Sequence, residues 1–459
     1  MHIFSKRSMT DVQREKVGNT RRDILKTAAL GGVGTAAVGA GMIANMNMAK
    51  GVKAADGDPI PIGQGAGYTG WGAADGNEFR NGLNMAIEEI NAMGGVLGRP
   101  LEPYFEDTTD QGPDQVIPAF QRLIDSKGVH AIINGYNASV ATAEYDVIAD
   151  SGILYLHNNT DQSQHDVISS DPEKYFSVFQ NDPVETWYGP GVVRFVNGLE
   201  GENLWQRPNN RVAIITIAQR YSVRIAEGAR DTLPEAGFEN ALFETVSFPV
   251  TDWGPVLAKV REIDPAVIIC THWLPQDQAQ FMLQFTPNPT NSIVYFQYGA
   301  SLNAFREIGG PAVNGTIYAT VIGALQDKMG MAFQNKYRAK FGEDSTPMVG
   351  SQTYDGCYLW AIAASLAGGS GEPGDFDQNV KVADRLRSLI YRGVNGTCRF
   401  YPEYQAAVPY PTDQENCEND PSLGMPHLFL QIPDHKKPPV LISPDPYTIQ
   451  KFQTPPWFS

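Results

Sequence analysis

The run Val212-Ala-Ile-Ile-Thr-Ile217 is short and almost wholly apolar, and apolar residues recur at helical spacing just after it, from Val223 to Leu233. The same succession continues to Ile293–Phe296, and an earlier series extends from Pro59–Ile62 to Ile153–Leu156. Strands this apolar, alternating with helices, are typical of parallel sheets that are covered on both faces. Because a turn-rich stretch separates the two series, the sequence predicts an α/β fold with two doubly wound, Rossmann-like lobes.

Three helices in succession follow the second series, with apolar residues at helical spacing in Phe333–Phe341, Tyr354–Leu366 and Leu386–Ile390. A last strand, His427–Ile432, precedes a proline-rich tail. Helices without strands between them must pack on a lobe that was formed earlier in the chain. We therefore expect the chain to cross between the lobes more than once.

The first 54 residues have the layout of an export signal. Two adjacent arginines, Arg21-Arg22, precede an uncharged run rich in Ala and Gly, Thr27–Ala49, and small residues close the leader at Val52–Ala54. This order indicates a cleavable signal peptide, and the arginine pair indicates the twin-arginine route. A membrane anchor is the alternative, but the run offers little apolar transfer energy. We expect residues 1–54 to be removed near Ala54, which leaves a periplasmic protein.

The length and net charge of the remaining 405 residues indicate how many cores they form and which partners are disfavoured. The leader holds nine Lys/Arg and three Asp/Glu, so the rest of the chain has 26 basic and 48 acidic residues, a net charge of −22. A chain this long favours two cores over one. A surface this acidic disfavours nucleic acid and anionic lipid as partners.

The cysteines are compatible with an oxidising compartment. Cys398 and Cys417 bracket a turn-rich segment with little else to restrain it, so they are the expected disulfide partners. Cys270 ends an apolar run and Cys357 lies in an apolar helical stretch, so both are expected to be buried free thiols.

Gly65-Ala-Gly-Tyr-Thr-Gly70 fits the G-x-G-x-x-G pattern of a dinucleotide-binding loop. A nucleotide site requires the next helix to open within the motif, whereas the apolar periodicity begins only at Phe79. We therefore expect a loop that faces a ligand and carries Tyr68 and Trp71.

No sequence motif indicates catalysis. The sequence has no G-x-S-x-G, P-loop or H-E-x-x-H pattern, and its histidines lack metal-ligand spacing. Carboxylates cluster at Glu106, Asp107, Asp110 and Asp114. A metal site there is one alternative, and a solvated loop with a helix cap is the favoured one. We expect neither an enzyme nor a bound cofactor.

Aromatic and short polar side chains follow the strands of both series. In open α/β sheets, ligands bind at the carboxyl ends of the strands. Rings that enclose a small molecule and amides or hydroxyls that fix its polar end are the chemistry of a solute site. The predicted strand ends carry Tyr68 and Trp71, Tyr136–Ser139, His157–Asp161, Gln219–Tyr221, Thr271–Trp273, and Gln297 with Tyr298. The sequence therefore predicts one shared cleft.

A family resemblance rests on a helix and the glycine turn after it, Asn77-Glu-Phe-Arg-Asn-Gly82 and Ile87-Glu-Glu-Ile-Asn-Ala-Met-Gly-Gly-Val-Leu-Gly-Arg-Pro100. Weaker motifs are Glu106-Asp107, Asn134-Gly135 with Ser139, Asp150–Leu154 and Gln219–Tyr221. With these segments the chain resembles periplasmic solute-binding proteins of the leucine/isoleucine/valine-binding type, relatives of which also bind amides and urea. The resemblance covers nearly all of residues 56–435.

The resemblance implies two lobes that are joined by three crossings, close over a ligand and deliver it to the membrane permease of an ABC transporter. It places the crossings near Phe179–Asp182, Thr320–Ile322 and Val394–Cys398. One lobe then combines residues 56–180 with 322–395, and the other combines 181–321 with 396–459. A monomer is the default expectation.

The resemblance also implies roles for single residues. Ser139 matches the serine that binds the ligand's carboxylate or amide, and Tyr221 matches a tyrosine of the second lobe. Tyr298 departs from the pattern, since amino-acid binders have an acidic residue there for the α-ammonium group. Asp161 departs as well, because a carboxylate repels a ligand carboxylate unless it is neutralised. A neutral amide-like, aromatic or cationic ligand is therefore as compatible as an amino acid. The candidate ligand-binding residues are Tyr68, Trp71, Asn137, Ser139, Asn159, Thr160, Asp161, Tyr221, His272, Trp273 and Tyr298.

Two other functions remain as alternatives. A sensory module of the same fold would pass the closed state to a signalling partner. An exported hydrolase on the α/β scaffold would need a nucleophile and a base, and the sequence offers no recognisable pair.

Overall fold

The computed structural model describes residues 55–137, 142–323, 325–412 and 420–458. The predicted signal peptide, Ser139 and Cys417 lie outside the described residues. Within the described ranges, no helix is both long and apolar enough to cross a membrane.

The first lobe is built on a parallel sheet. Its strands are β1 (Ile60–Ala66), β2 (Leu101–Asp107), β3 (Ala131–Ile133), β4 (Leu154–His157) and β5 (Val178–Gln180). Among the described residues they pair in the order β2-β1-β3-β4-β5. The helices between them are α1 (Ala73–Ala92), α2 (Pro113–Gln121), α3 (Tyr145–Ser151) and α4 (Ser163–Ser170). Strands β3, β4 and β5 are buried along their whole length, as expected for a sheet covered on both faces.

The second lobe contains a larger mixed sheet. The remaining strands are β6 (Arg211–Ile217), β7 (Glu239–Val246), β8 (Val267–Cys270), β9 (Ile293–Gln297), β10 (Ile317–Thr320), β11 (Tyr391–Gly393), β12 (Gly396–Cys398), β13 (Pro409–Tyr410), β14 (Met425–Pro426), β15 (Leu428–Gln431) and β16 (Val440–Ser443). In the described chain the large sheet runs β16-β15-β10-β9-β8-β6-β7. Its outer strands β15 and β16 are antiparallel to their neighbours, and the others are parallel.

The helices of the second lobe are α5 (Tyr188–Gly201), α6 (Arg220–Thr232), α7 (Gly254–Ile263), α8 (Pro275–Phe285) and α9 (Asn303–Gly309). Helix α5 lies in the stretch that we interpreted as turn-rich, and that interpretation is wrong. Its Gly-Pro-Gly start at Gly189–Gly191 hides the helical pattern, yet Val192 and Val196 are buried against the sheet.

The third section returns to the first lobe. Helices α10 (Lys328–Phe341), α11 (Pro347–Leu366) and α12 (Phe376–Ser388) follow in succession, as predicted. Helix α11 packs along α1, and the hydroxyl of Thr353 donates to the carbonyl of Phe79 at 2.7 Å. The chain therefore passes from the first sheet to the second between β5 and β6, returns to the first lobe after β10, and rejoins the second sheet with β15 and β16.

Cys398, the last residue of β12, is a buried free thiol, with its sulfur 3.9 Å from the carbonyl oxygen of Asn181. The structure therefore gives no support to the predicted Cys398–Cys417 bridge, whose second partner is outside the described residues. Cys270 and Cys357 are buried free thiols, which confirms that prediction.

Candidate ligand-binding site

A cavity of about 520 Å³ lies between the two lobes, where the carboxyl ends of their strands meet. Its size is within the range of cavities that hold small organic ligands. Residues that follow β1, β3, β4 and β5 line it from the first lobe, and residues at the ends of β6, β8, β9 and β10 line it from the second. The lining residues are Trp71, Tyr136, Asn158, Asn159, Thr160, Asp161, Asp182, Tyr188, Gln219, Arg220, Tyr221, Trp273, Gln297, Tyr298, Ala319, Thr320, Val321, Ile322, Gln352 and His427.

Two tryptophans from opposite lobes meet at the cavity. The ring centroids of Trp71 and Trp273 are 6.1 Å apart, with the planes inclined by 52°. The indole N–H of Trp273 donates to the side-chain oxygen of Gln219, which fixes the ring within the second lobe. Trp71 remains 47% exposed. An exposed ring that touches the opposite lobe is suited to covering a ligand when the lobes close.

A buried carboxylate also joins the lobes. Asp75, in the first turn of α1, accepts hydrogen bonds from the hydroxyls of Tyr136 and Tyr298, the latter at 2.7 Å. Burial raises the pKa of Asp75, and the two tyrosine bonds oppose that rise. Tyr298 holds its position with φ of 52°, which is uncommon for a bulky residue. An acidic group is thus present near Tyr298, although it comes from the other lobe.

Asp161 is neutralised by arginines of the second lobe. Its carboxylate lies 2.8 Å from Arg220 and 2.9 Å from Arg224, both on α6. Arg224 also binds Glu185 at 2.9 Å. Burial raises the pKa of Glu185 to about 7 in spite of Arg224. The repulsion between Asp161 and a ligand carboxylate that the sequence suggested is therefore largely cancelled.

Tyr221 is held by a chain of hydrogen bonds on the second lobe. Its hydroxyl accepts from the amide nitrogen of Gln297 at 2.9 Å, and the amide oxygen of Gln297 accepts from Tyr295 at 2.5 Å. Tyr295 is fully buried. These hydrogen bonds fix the position of the Tyr221 ring, which forms part of the cavity wall.

Beside the crossings, the cavity is lined by four buried polar residues, Asn158, Asp182, Gln352 and His427, which we call the hinge-side group. Each is at most 6% exposed. Within the described chain, Asn158 Oδ1, Asp182 Oδ1, Gln352 Oε1 and His427 Nε2 have no hydrogen-bond partner. Buried polar atoms are nearly always paired in native proteins, so such atoms around a cavity are available to a ligand or water.

Most of the predicted ligand-binding residues come together here. Trp71, Asn159, Thr160, Asp161, Tyr221, Trp273 and Tyr298 line the cavity. Ser139 lies outside the described residues.

Three predicted contacts, Tyr68, Asn137 and His272, do not line the cavity and support the loops that do. The hydroxyl of Tyr68 donates to Gln64 Oε1 at 2.8 Å, and its ring lies under the guanidinium of Arg80. The backbone N–H of Asn137 donates to Asn159 Oδ1 at 2.7 Å. His272 is fully buried and lies 2.7 Å from Asp277. Each follows a strand, as predicted, but its side chain points into the lobe.

Sequence reasoning missed Asp75, Asp182, Tyr188 and Gln352. Asp75 precedes Phe79, where the apolar periodicity of α1 begins, so the sequence pattern does not mark it as helical. Tyr188 begins the helix that the sequence concealed. Asp182 follows β5, and Gln352 lies on helix α11. Both line the cavity because of how distant parts of the chain pack, which no local sequence pattern indicates.

The glycine-rich loop is explained by close packing. Helix α1 begins at Ala73, earlier than the apolar periodicity indicated. A Cβ on Gly76 would lie 2.0 Å from the carbonyl oxygen of Gly67, and one on Gly65 would lie 2.7 Å from the ring of Phe120. The glycines therefore let the helix and strand approach each other, and no nucleotide is needed to explain them.

One member of the acidic cluster, Asp107, holds the same loop in place. Asp107 Oδ1 accepts from the backbone of Tyr68 at 2.9 Å and of Thr109 at 2.8 Å. In the described residues, no group of three or more His, Cys, Asp or Glu side chains is placed to hold a metal ion.

Comparison with known proteins agrees with this geometry. The family model described as periplasmic binding protein matches residues 59–409. A solved structure from Silicibacter pomeroyi, described provisionally as a branched-chain amino acid ABC transporter, is 52% identical, covers 87% of this chain and all of that chain, and superposes with a TM-score of 0.84.

Curated relatives are more distant. The leucine-, isoleucine-, valine-, threonine- and alanine-binding protein of Pseudomonas aeruginosa is 23% identical over 75% of this chain and 86% of its own length. The Leu/Ile/Val-binding protein homolog 2 of Brucella abortus is 25% identical over 56% of this chain, and the match spans 66% of that relative, just under two thirds. With the family model matching most of its length, the chain belongs to the periplasmic binding protein family, and its fold is the two-lobed type I fold of that family.

Proposed function

We propose that the protein is the exported substrate-binding component of an ABC importer, which captures a small polar organic solute between its lobes and delivers it to a membrane permease. The observation that carries the proposal is the cavity of about 520 Å³, enclosed by aromatic and short polar side chains from the strand ends of both lobes. The relatives named for binding amino acids support an amino acid, an amide or a related compound as the solute.

Hinge closure is the proposed mechanism. Trp71 with Trp273, Asp75 with Tyr298, and Asp161 with Arg220 and Arg224 are contacts between the lobes around the cavity. Opening the lobes would break these contacts and admit the solute, and closing would restore them around it. The ligand shifts the equilibrium by binding the closed form better than the open form.

The remaining elements of the proposal follow from the sequence. Residues 1–54 act as a twin-arginine signal, and the mature protein is a periplasmic monomer without catalytic activity. The proposed lobes are 56–180 with 322–395 and 181–321 with 396–459. The end of β5 at Gln180 and the end of β10 at Thr320 support these boundaries.

A thermal-shift screen tests the proposal. Purified mature protein is heated with amino acids, amides, polyamines and aromatic acids, each at several concentrations. A ligand at 100 times its Kd stabilises the folded state by about 2.7 kcal/mol, so a true ligand raises Tm in a concentration-dependent way. Trp273→Ala is expected to abolish the shift, whereas Trp457→Ala, outside the cavity, is expected to retain it. Absence of any shift across these classes would contradict the proposal.

A further inference from the structure

We propose that the solute carries a cationic nitrogen on an apolar body and places that nitrogen against Asp182 in the hinge-side group. This inference rests on the proposed function and names the chemical class of the ligand. It depends on the buried acceptors beside the crossings, on the aromatic walls and on the distribution of charge around the cavity.

The hinge-side group consists mainly of hydrogen-bond acceptors. The unpartnered oxygens of Asn158, Asp182 and Gln352 accept, and each of these side chains is more than nine-tenths buried among the described residues. His427 adds an imidazole nitrogen, and burial lowers the pKa of His427 to about 3, which keeps the ring neutral. Several acceptors around one cavity match a ligand group with several N–H donors, as an ammonium or guanidinium group has.

Asp182 lacks a cationic partner in the described part of the chain. It is 2% exposed, and its carboxyl accepts hydrogen bonds from the side chain of Asn158 and from its own backbone N–H, while Glu185 adds a like charge. Burial raises the pKa of Asp182 well above its usual range, in spite of these two hydrogen bonds. A cation brought next to Asp182 would favour its ionised form and form a charge-assisted hydrogen bond.

The other charges of the lining are already paired. Asp161 binds Arg220 and Arg224, so no arginine of the described lining is left over for a ligand carboxylate. The neighbouring rings of Tyr188 and Tyr221, 6.4 Å apart and close to perpendicular, offer faces that attract a cation. Aromatic walls with an unpaired buried acid favour a cation over an anion or a zwitterion.

Two matched series of compounds test the inference by isothermal titration calorimetry on the mature wild-type protein. The aromatic series is phenethylamine, phenylacetamide, phenylacetate and phenylalanine. The aliphatic series is 3-methylbutylamine, 3-methylbutanamide, 3-methylbutanoate and leucine. Within a series the body is nearly constant, so differences in Kd report the head group. We expect the amine to bind at least tenfold more tightly than the carboxylate and the amino acid in one series or both.

The variant Asp182→Asn then tests the residue. We expect the amine to lose about 10- to 100-fold in affinity, the usual value of a hydrogen bond to a charged group, while the neutral amide changes less than threefold. Asp125→Asn, which removes the same charge from an exposed position of the first lobe, should leave both unchanged. The ranking in the wild-type protein needs no variant, so the inference stays testable if Asp182→Asn does not fold.

The outcomes separate the inference from the proposed function. Tighter binding of a carboxylate or an α-amino acid would overturn the cationic ligand and leave the solute-binding function standing. Unchanged amine affinity in Asp182→Asn would overturn the role of Asp182. Failure of every compound here and in the thermal-shift screen would overturn both.

Discussion

The phenol oxygen of Tyr298 lies 2.7 Å from Oδ2 of Asp75, and this bond joins the second lobe to the first beside the cavity. Asp75 also accepts from Tyr136 of its own lobe. When a buried carboxylate loses a hydrogen bond, it pays the cost of desolvation unless water replaces the lost donor. The closed arrangement of the lobes is therefore coupled to this one carboxylate.

Tyr298→Phe should loosen the closed state. The substitution removes one hydrogen bond to a charged group, which costs about 1.5–3 kcal/mol, and this cost falls mainly on closure. We expect the dissociation rate of a bound ligand to rise about tenfold or more. Stopped-flow fluorescence of the complex measures it. Tyr104→Phe, which removes a hydroxyl away from the cavity, is the matched control and should leave the rate unchanged.

The two arginines on α6 should differ in their effect on stability. Arg224 binds both Asp161 and Glu185, whose side chain is fully buried, whereas the half-exposed Arg220 binds Asp161 alone. Arg224→Gln leaves a buried acid uncompensated and should cost about 2–4 kcal/mol. Arg220→Gln should cost less than about 1 kcal/mol. Urea unfolding measures both, and equal costs would show that Glu185 does not depend on Arg224.

Glycine substitutions test the packing explanation of the glycine-rich loop. In Gly76→Ala the new Cβ would lie 2.0 Å from the carbonyl oxygen of Gly67, so helix and loop must separate, and we expect a loss of more than about 2 kcal/mol. Gly198 is also helical, but nothing lies within 4 Å of its added Cβ, so Gly198→Ala should gain about 0.5–1 kcal/mol. Thermal unfolding compares the two. Tolerance of Gly76→Ala would contradict the packing account.

His157 should make the protein sensitive to acid. Burial lowers the pKa of His157 to about 3, against an ordinary value of 6.5. Below pH 6.5 the unfolded chain binds a proton that the native chain excludes, so the unfolding free energy falls as pH falls from 6.5 towards 3. His157→Asn removes this titration and keeps an acceptor for the backbone N–H of Asn159.

Urea unfolding of the wild type and His157→Asn at pH 6.5 and pH 5 measures the effect. We expect the loss of unfolding free energy between these pH values to be smaller in the variant by about 1.5 kcal/mol. Glu185, with its raised pKa, acts in the opposite direction in both proteins and cancels in the comparison. An identical loss in the two proteins would show that His157 takes up its proton in the native state.

The strands were predictable because the sheets are buried on both faces. Each strand therefore appears in the sequence as an apolar run, such as Val212–Ile217. The start of α1 was not predictable, since Ala73–Gly76 has no large apolar residue to mark a helical face. Because the start of α1 was predicted too late in the chain, Asp75 was not among the predicted site residues. Tyr68 and Trp71 looked equivalent in sequence, but the bonds of Asp107 to the loop turn Tyr68 inwards and leave Trp71 exposed.

The hinge-side group was beyond sequence reasoning for another reason. Gln352 lies on a helix that is buried along most of its length, so no polar face sets it apart. Asp182 follows a strand of only three residues that the apolar pattern did not reveal. Both residues line the cavity because of the way the two lobes pack against each other. That packing depends on contacts between residues far apart in the chain, which a local sequence pattern does not reveal.

The position of a bound ligand in a crystal structure tests the central claim most directly. The protein is crystallised with the compound that gives the largest thermal shift. The account predicts electron density between Trp71 and Trp273, with a polar end within hydrogen-bond distance of Asp182 and with both lobes in contact with the molecule. A compound bound outside the cavity, or held by one lobe alone while the lobes stay apart, would contradict it.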